Sequence, residues 1–229
     1  MFEFEKEFHA IIKSLHEINA LRHLILIGSW VLPIYSENYR IPNLTFKTSD
    51  VDFTIIRPHD PSKKSTPSIH QKLIEIGYIP HRSPITQSEK YIPALESAKN
   101  KLSIEFLSEP GRIVTAPFRV KGLDIITTPL RYQRVLHENT IILIYKGIPV
   151  TVPNLPFWAC HKIAMSQLRS GEQAKLKMMK DLDGAKIIVN FLGYEEIIRA
   201  AQCYKGKFLR LFQKGWKVYQ SRFAEQITK

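Results

Sequence analysis

With 229 residues, 44% hydrophobic side chains, 10% aromatics and only 10 glycines, the chain has a globular composition, which excludes fibrous and disordered classes and leaves room for one large core or a catalytic domain with a helical partner. Its 33 Lys and Arg against 21 Asp and Glu leave a net charge of +12, an excess that attracts polyanions such as RNA, DNA or a triphosphate. No apolar run reaches the roughly 20 residues of a membrane helix, and the first residues, MFEFEKEFHAIIKSLHEI, mix Glu and Lys without a basic leader and apolar block, so a cytoplasmic protein is expected.

Phe4, Phe8, Ile11, Ile12, Leu15, Ile18 and Leu21 recur at three- and four-residue steps, which predicts an amphipathic helix over residues 3–20. Leu24-Ile25-Leu26-Ile27 is a short apolar run stopped by Gly28-Ser29, the pattern of a buried strand. A short helix over residues 30–36 tolerates Pro33 in its first turn, and residues 37–48, with Asn38, Pro42 and Asn43, read as a polar loop. Val51-Asp52-Phe53-Thr54-Ile55-Ile56 then alternates. A strand here sets Asp52 and Thr54 on one face and Val51, Phe53 and Ile55 on the other.

HDPSKKSTPS reads as a surface connection, residues 68–76 as a short helix before Gly77, and residues 78–82 and 90–92 as strand pieces. Residues 101–107 alternate again and place Ser103 and Glu105 on one strand face before Pro110-Gly111. Residues 120–151 mix short strands with turns around Gly122 and Gly147. From Leu155 onward, residues 156–168, 172–192, 194–204 and 206–227 show helical spacing, separated by Gly171, Gly193 and Gly206. An α+β chain is therefore expected: a mixed β-sheet with flanking helices over residues 1–150, then a helical bundle over residues 151–229.

Three features in chain order carry candidate chemistry: Gly28-Ser29 between strand and helix, Asp50-x-Asp52 on a strand, and Glu105 on a later strand. Gly-Ser at a helix start lets the backbone approach phosphate while N–H groups and the hydroxyl donate to it; the same pair also makes an ordinary turn. Carboxylates at i and i+2 of a strand share a face, and a third from a neighbouring strand completes an oxygen cage for hard divalent cations. Asp52 lies between Val51 and Phe53, where a carboxylate is costly unless paired or metal-bound. Asp124, in KGLDIITTP, rivals Glu105 as the third carboxylate. Cys160 and Cys203 lack CxxC spacing and read as two buried thiols. In the last helical stretch, Lys205, Lys207, Arg210, Lys214, Lys217 and Arg222 interleave with Phe208, Phe212, Trp216, Tyr219 and Phe223. Their helical spacing assigns the aromatics to core and leaves the cations as a candidate nucleic-acid patch.

In this order LIGSWVLPIY, TSDVDFTI and LSIEFLSEPGR resemble the DNA polymerase beta-type nucleotidyltransferase superfamily, through its Gly-Ser, Asp-x-Asp and third-carboxylate pattern. More narrowly, the GSW wording, the TSDVDF run and the downstream KDLDGAKII are similar to bacterial nucleotidyltransferases of the GSLP or AbiEii-like toxin group. The resemblance implies a nucleotidyltransferase fold whose catalytic domain is residues 1–150, with residues 151–229 completing the nucleotide or acceptor cleft. It implies Mg2+ or Mn2+ at Asp50, Asp52 and Glu105, and a nucleoside triphosphate such as ATP at Gly28, Ser29, Lys162, Arg169 and Lys180. Asp181 is read as orienting Lys180 or as surface charge.

The activity implied is transfer of a nucleoside monophosphate to RNA, protein or a small molecule, with RNA met by the basic C-terminal helix and no membrane partner. A toxin role with an antitoxin partner is implied by the narrower likeness. The alternative is a catalytically inactive nucleotide- or nucleic-acid-binding protein of the same fold.

Overall fold

The computed structural model describes residues 2–41, 48–55, 68–94, 102–109 and 116–227, and the chain divides into two compact units, Met1–Val152 and Pro153–Lys229. In the first unit α1 (Phe2–Glu17) leads through a 3-10 turn (Ala20–His23) to β1 (Leu24–Leu26), α2 (Val31–Tyr39) and β2 (Asp50–Ile55). Then come α3 (Ile69–Glu75), β3 (Tyr78–Arg82), β4 (Glu89–Pro93), β5 (Ser103–Ser108), β6 (Phe118–Val120) and β7 (Ile125–Pro129). The short α4 (Arg134–His137) precedes a hairpin of β8 (Thr140–Tyr145) and β9 (Ile148–Pro153). Among the described residues seven strands join in one sheet of order β1-β2-β5-β4-β3, with β7 also pairing β5 and β6 pairing β7. The sheet is mixed: β2–β5 and β5–β7 are parallel, and the other pairs are antiparallel.

Strand alternation divides this sheet chemically. Val51 and Phe53 of β2, Ile104 and Phe106 of β5, and Tyr91 of β4 are all fully buried. Phe53 stacks on Phe106 with centroids 5.9 Å apart, and Tyr91 meets Phe106 edge-on at 6.0 Å. Each such side chain contributes about 1.5–3 kcal/mol by leaving water. On α1, Glu7 accepts from the Leu102 N–H with both carboxylate oxygens at 3.2 Å and from the Tyr78 hydroxyl at 2.6 Å, so one helix anchors the residue entering β5 and the start of β3. A capping box opens α3: the Ser68 hydroxyl accepts from the Gln71 N–H at 3.2 Å, and the Gln71 side chain accepts from the Ser68 N–H at 3.1 Å, satisfying two donors left over at a helix start.

Two elements differ from the sequence expectation. α2 continues to Tyr39 through residues read as loop, because the Asn38 amide donates to the Ile144 carbonyl at 2.7 Å and accepts from the Ile144 N–H at 3.3 Å. Its side chain thus pairs with β8 as a strand would, and holds the last turn in place. The second is α4, whose Gln133 N-cap and His137 both hydrogen-bond the buried Thr54 hydroxyl, the His137 Nε2 at 2.7 Å. This ties a short helix to the strand that carries Asp50 and Asp52. Pro42, Asn43, residues 59–67 of HDPSKKSTPS and Pro110-Gly111 lie outside the described residues.

The second unit holds α5 (Leu155–Ser166), α6 (Ala174–Leu192), α7 (Tyr194–Gln202) and α8 (Lys207–Ile227). Gly193, at φ 83°, and Gly206, at φ 69°, make the left-handed breaks that helix ends favour. α8 crosses α5 at Gly215, where a Cβ would overlap the Ile163 carbonyl oxygen. Phe208, Phe212, Trp216 and Tyr219 are buried, while Lys207, Arg210, Lys214 and Lys217 are exposed. Cys160 is buried and burial pushes its thiol pKa up. Cys203, by contrast, is exposed, at the C-cap of α7. Among the described residues no helix is long and apolar enough to cross a membrane.

Candidate active site

The parallel register of β2 and β5 sets Asp50 opposite Ser103 and Asp52 opposite Glu105, and β4 brings Lys90 level with Glu105. Since alternate residues share a strand face, these five polar side chains stand on the side of the sheet opposite Phe53, Phe106 and Tyr91. Ser103 donates to Asp50 Oδ1 at 2.8 Å. The Lys90 ammonium lies 3.1 Å from Glu105 Oε2 and 3.5 Å from Asp50 Oδ1, bridging β2 and β5. Burial works to lower the Lys90 pKa, and Glu105 and Asp50, with Asp52, outweigh it and hold it above the ordinary lysine value.

β1 runs antiparallel to β2 and ends beside Asp52. The Ile27 N–H donates to the Asp52 carbonyl at 2.9 Å. Gly28 then lies against the Asp52 side chain: a Cβ here would overlap Oδ2 and stand 3.1 Å from Cγ. Glycine is needed for this close approach. Ser29 follows, its carbonyl accepting from the Leu32 N–H at 3.1 Å at the start of α2.

The second unit contains a separate charged cluster. Asp181 on α6 has only 4% of its side chain exposed and accepts from Lys162 Nζ at 3.1 Å and from Arg169 at 2.6 Å. This corrects the reading of Asp181 as surface charge. Asp181 turns toward α5, which carries Lys162. Burial alone would raise the Asp181 pKa; Lys162 and then Arg169 outweigh it and hold it below the ordinary carboxylate value. A lowered folded pKa means that Asp181 contributes stability above its unfolded value of about 3.9 and loses it as pH falls further.

Asp181→Asn is expected to cost about 3 kcal/mol at neutral pH, the low end for a broken buried pair because Arg169 is partly exposed. Urea melts from pH 7 down should then show the parent losing its advantage over the variant between about pH 5 and pH 2. A constant difference across that range would mean the carboxylate charge is not what Asp181 contributes.

A nucleotidyltransferase family model matches residues 6–206, a span that contains both clusters. The chain belongs to this family. Among solved structures, it is similar to an antigenic nucleotidyltransferase-like protein from Paracoccidioides brasiliensis at 12% identity and TM-score 0.49, covering 96% of this chain and 91% of that one. It is also similar to ANT(2")-Ia, solved in complex with adenylyl-2"-tobramycin, at 12% identity and TM-score 0.47, covering 91% of this chain and 96% of that one. No curated protein sequence matches the chain.

For a nucleotidyltransferase, the residues that sequence reasoning selected in the first unit fall together. Asp50, Asp52 and Glu105 share one face of adjacent strands, and Gly28 touches Asp52. Asp124 lies instead in the turn between β6 and β7, at φ 56° and ion-paired with Arg119. Lys162 and Arg169 share Asp181 in the second unit, and Lys180 lies on α6 beside it.

Lys90 is the site residue that sequence reasoning missed. The available signal was parity, because Lys90 alternates with the buried Tyr91 and so joins the face of the carboxylates. In kind, the donors suit a hard divalent cation, being carboxylate oxygens with no sulfur among them. In arrangement, no group of three or more His, Cys, Asp or Glu among the described residues stands ready to hold a metal ion. Two of the three carboxylates are bound to Lys90 instead.

Proposed function

We propose that this nucleotidyltransferase moves a nucleoside monophosphate from a nucleoside triphosphate to an acceptor hydroxyl, with Mg2+ or Mn2+ held by Asp50, Asp52 and Glu105. The observation supporting this reading is the β2–β5 register, which sets Asp52 level with Glu105 and Asp50 on the same face. The metal would supply positive charge against the triphosphate oxygens when bound. Gly28, whose backbone lies against the Asp52 side chain, and Ser29, with its hydroxyl, are proposed to meet the phosphates, and Lys162, Arg169 and Lys180 are the cations proposed to take the triphosphate. The acceptor oxygen attacks the α-phosphorus, the bond from that phosphorus to the bridging oxygen breaks, pyrophosphate leaves, and Glu105 accepts the hydroxyl proton.

One observation favours a second reading, a nucleotide-binding protein without turnover: the Lys90 ammonium sits on two of the three carboxylates. The deciding experiment offers α-labelled ATP, CTP, GTP and UTP with Mg2+ or Mn2+ to the purified chain together with RNA, protein lysate and small hydroxyl compounds. Label on one acceptor class establishes transfer and names the acceptor. Nucleotide binding without label on any acceptor establishes the second reading.

RNA as the acceptor is proposed from the exposed Lys207, Arg210, Lys214 and Lys217 of α8. Reversing all four charges is expected to weaken RNA binding and to lower the slope of log affinity against log salt by about 3, with nucleotide affinity unchanged. An unaltered salt slope would return α8 to an ordinary solvated face. The toxin-type role and an antitoxin partner rest on the motif wording of the sequence alone, and co-purification of a partner encoded beside this chain would test them.

A further inference from the structure

We propose that Lys90 is a tethered counter-ion, which holds the carboxylate face of the nucleotidyltransferase in place of a divalent cation and must be displaced before a metal is taken up. The proposal rests on the metal reading of Asp50, Asp52 and Glu105 above and adds what governs that site. Three carboxylates on one face of two neighbouring strands repel each other and any further negative charge. A single ammonium within 3.1 Å of one and 3.5 Å of another relieves this, and it comes from a third strand, held level with Glu105 by the β4–β5 register.

The partners on this face differ from the Asp181 cluster in a way that matters. Asp181 is closed off, with 4% of its side chain exposed, whereas the Lys90 side chain is 40% exposed and carries its charge on a flexible four-carbon stem. The ammonium can therefore swing toward solvent without breaking the sheet, since only side-chain bonds hold it. A bare metal ion has to remove that ammonium and leave it in water. A metal ion arriving on a triphosphate brings anionic oxygens to which the displaced ammonium can turn. Lys90 thus makes metal uptake weak without nucleotide and stronger with it, a coupling between two ligands of one site.

The test is Mn2+ titration of the full chain without nucleotide, followed by electron paramagnetic resonance of the free ion, which reads metal affinity independently of turnover. Lys90→Met removes the charge and keeps an unbranched side chain only one atom shorter, and is expected to bind Mn2+ at least about tenfold more tightly than the parent. Lys90→Arg keeps the charge and should bind no more tightly than the parent. Thermal melts with and without Mn2+ provide the second readout: the metal-induced rise should be larger in Lys90→Met, and Lys90→Gln replaces it if the methionine variant does not fold.

Equal or weaker Mn2+ binding by the neutral variants overturns the proposal. Asp52→Asn separates the two levels of inference. If it loses Mn2+ while Lys90→Met matches the parent, the metal reading stands and the counter-ion role falls. If neither the parent nor the neutral variants take up Mn2+ without nucleotide, the counter-ion role falls, and if none of them takes it up with a nucleoside triphosphate present either, the metal reading falls with it.

Discussion

Asp52→Asn is expected to reduce nucleotidyl transfer roughly a thousandfold or more in kcat, equivalent to about 4 kcal/mol of barrier, while the protein stays folded. The substitution keeps side-chain shape and removes one negative charge. The Asp52 carbonyl still accepts from the Ile27 N–H, and the β2–β5 ladder is backbone alone, so the substitution leaves the hydrogen bonds of that ladder in place. Removing one of three like charges on the face also relieves repulsion, and the melting temperature should stay level or rise. Label-transfer rates under saturating Mg2+, measured beside thermal melts, check both halves. Transfer at the parental rate would show that Asp52 holds no metal needed for the reaction. If Glu105→Gln alone left transfer intact, the third carboxylate would have to be sought elsewhere, with Asp124 first in line once freed from Arg119.

Gly28→Ala should produce the opposite of an ordinary core mutation, a small loss of stability with a large loss of activity. The added Cβ would overlap Asp52 Oδ2 and press on Cγ at 3.1 Å. Gly28 is not among the glycines with positive φ, so an alanine backbone is tolerated and the conflict is one of space. The group in the way is the tip of a side chain, which can rotate, and overpacking of that kind costs about 1 kcal/mol. Rotation nevertheless takes the Asp52 carboxylate out of line with Glu105, and misplacement by about 1 Å is enough to lower a rate about a hundredfold. A kcat reduced by that factor, with a melting temperature within a few degrees of the parent, is the expected result. Unchanged kcat would mean that the Asp52 carboxylate does its work from either rotamer. A large loss of stability would mean that β1, rather than Asp52, gives way.

Local pattern in the amino-acid sequence determined the elements themselves. Alternation over residues 51–56 and 101–107 separated Asp52 and Glu105 from the apolar face, and helical spacing with glycine breaks delimited α5 to α8, because side-chain direction within one element follows from its own period. The same logic put the aromatics of α8 inside and its cations outside. Period says nothing about which strands become neighbours or in what register, since those are decided by burial and hydrogen bonding between segments distant in the chain.

Only the tertiary structure placed β2 beside β5 with Asp52 level with Glu105, inserted Lys90 from β4 between the carboxylates, and turned Asp181 toward Lys162 and Arg169. It also carried α2 on to Tyr39 by pairing the Asn38 side chain with the edge of β8. Each of these depends on a partner between 12 and 106 residues away in the chain, and a pattern read within one strand or helix contains no information about it.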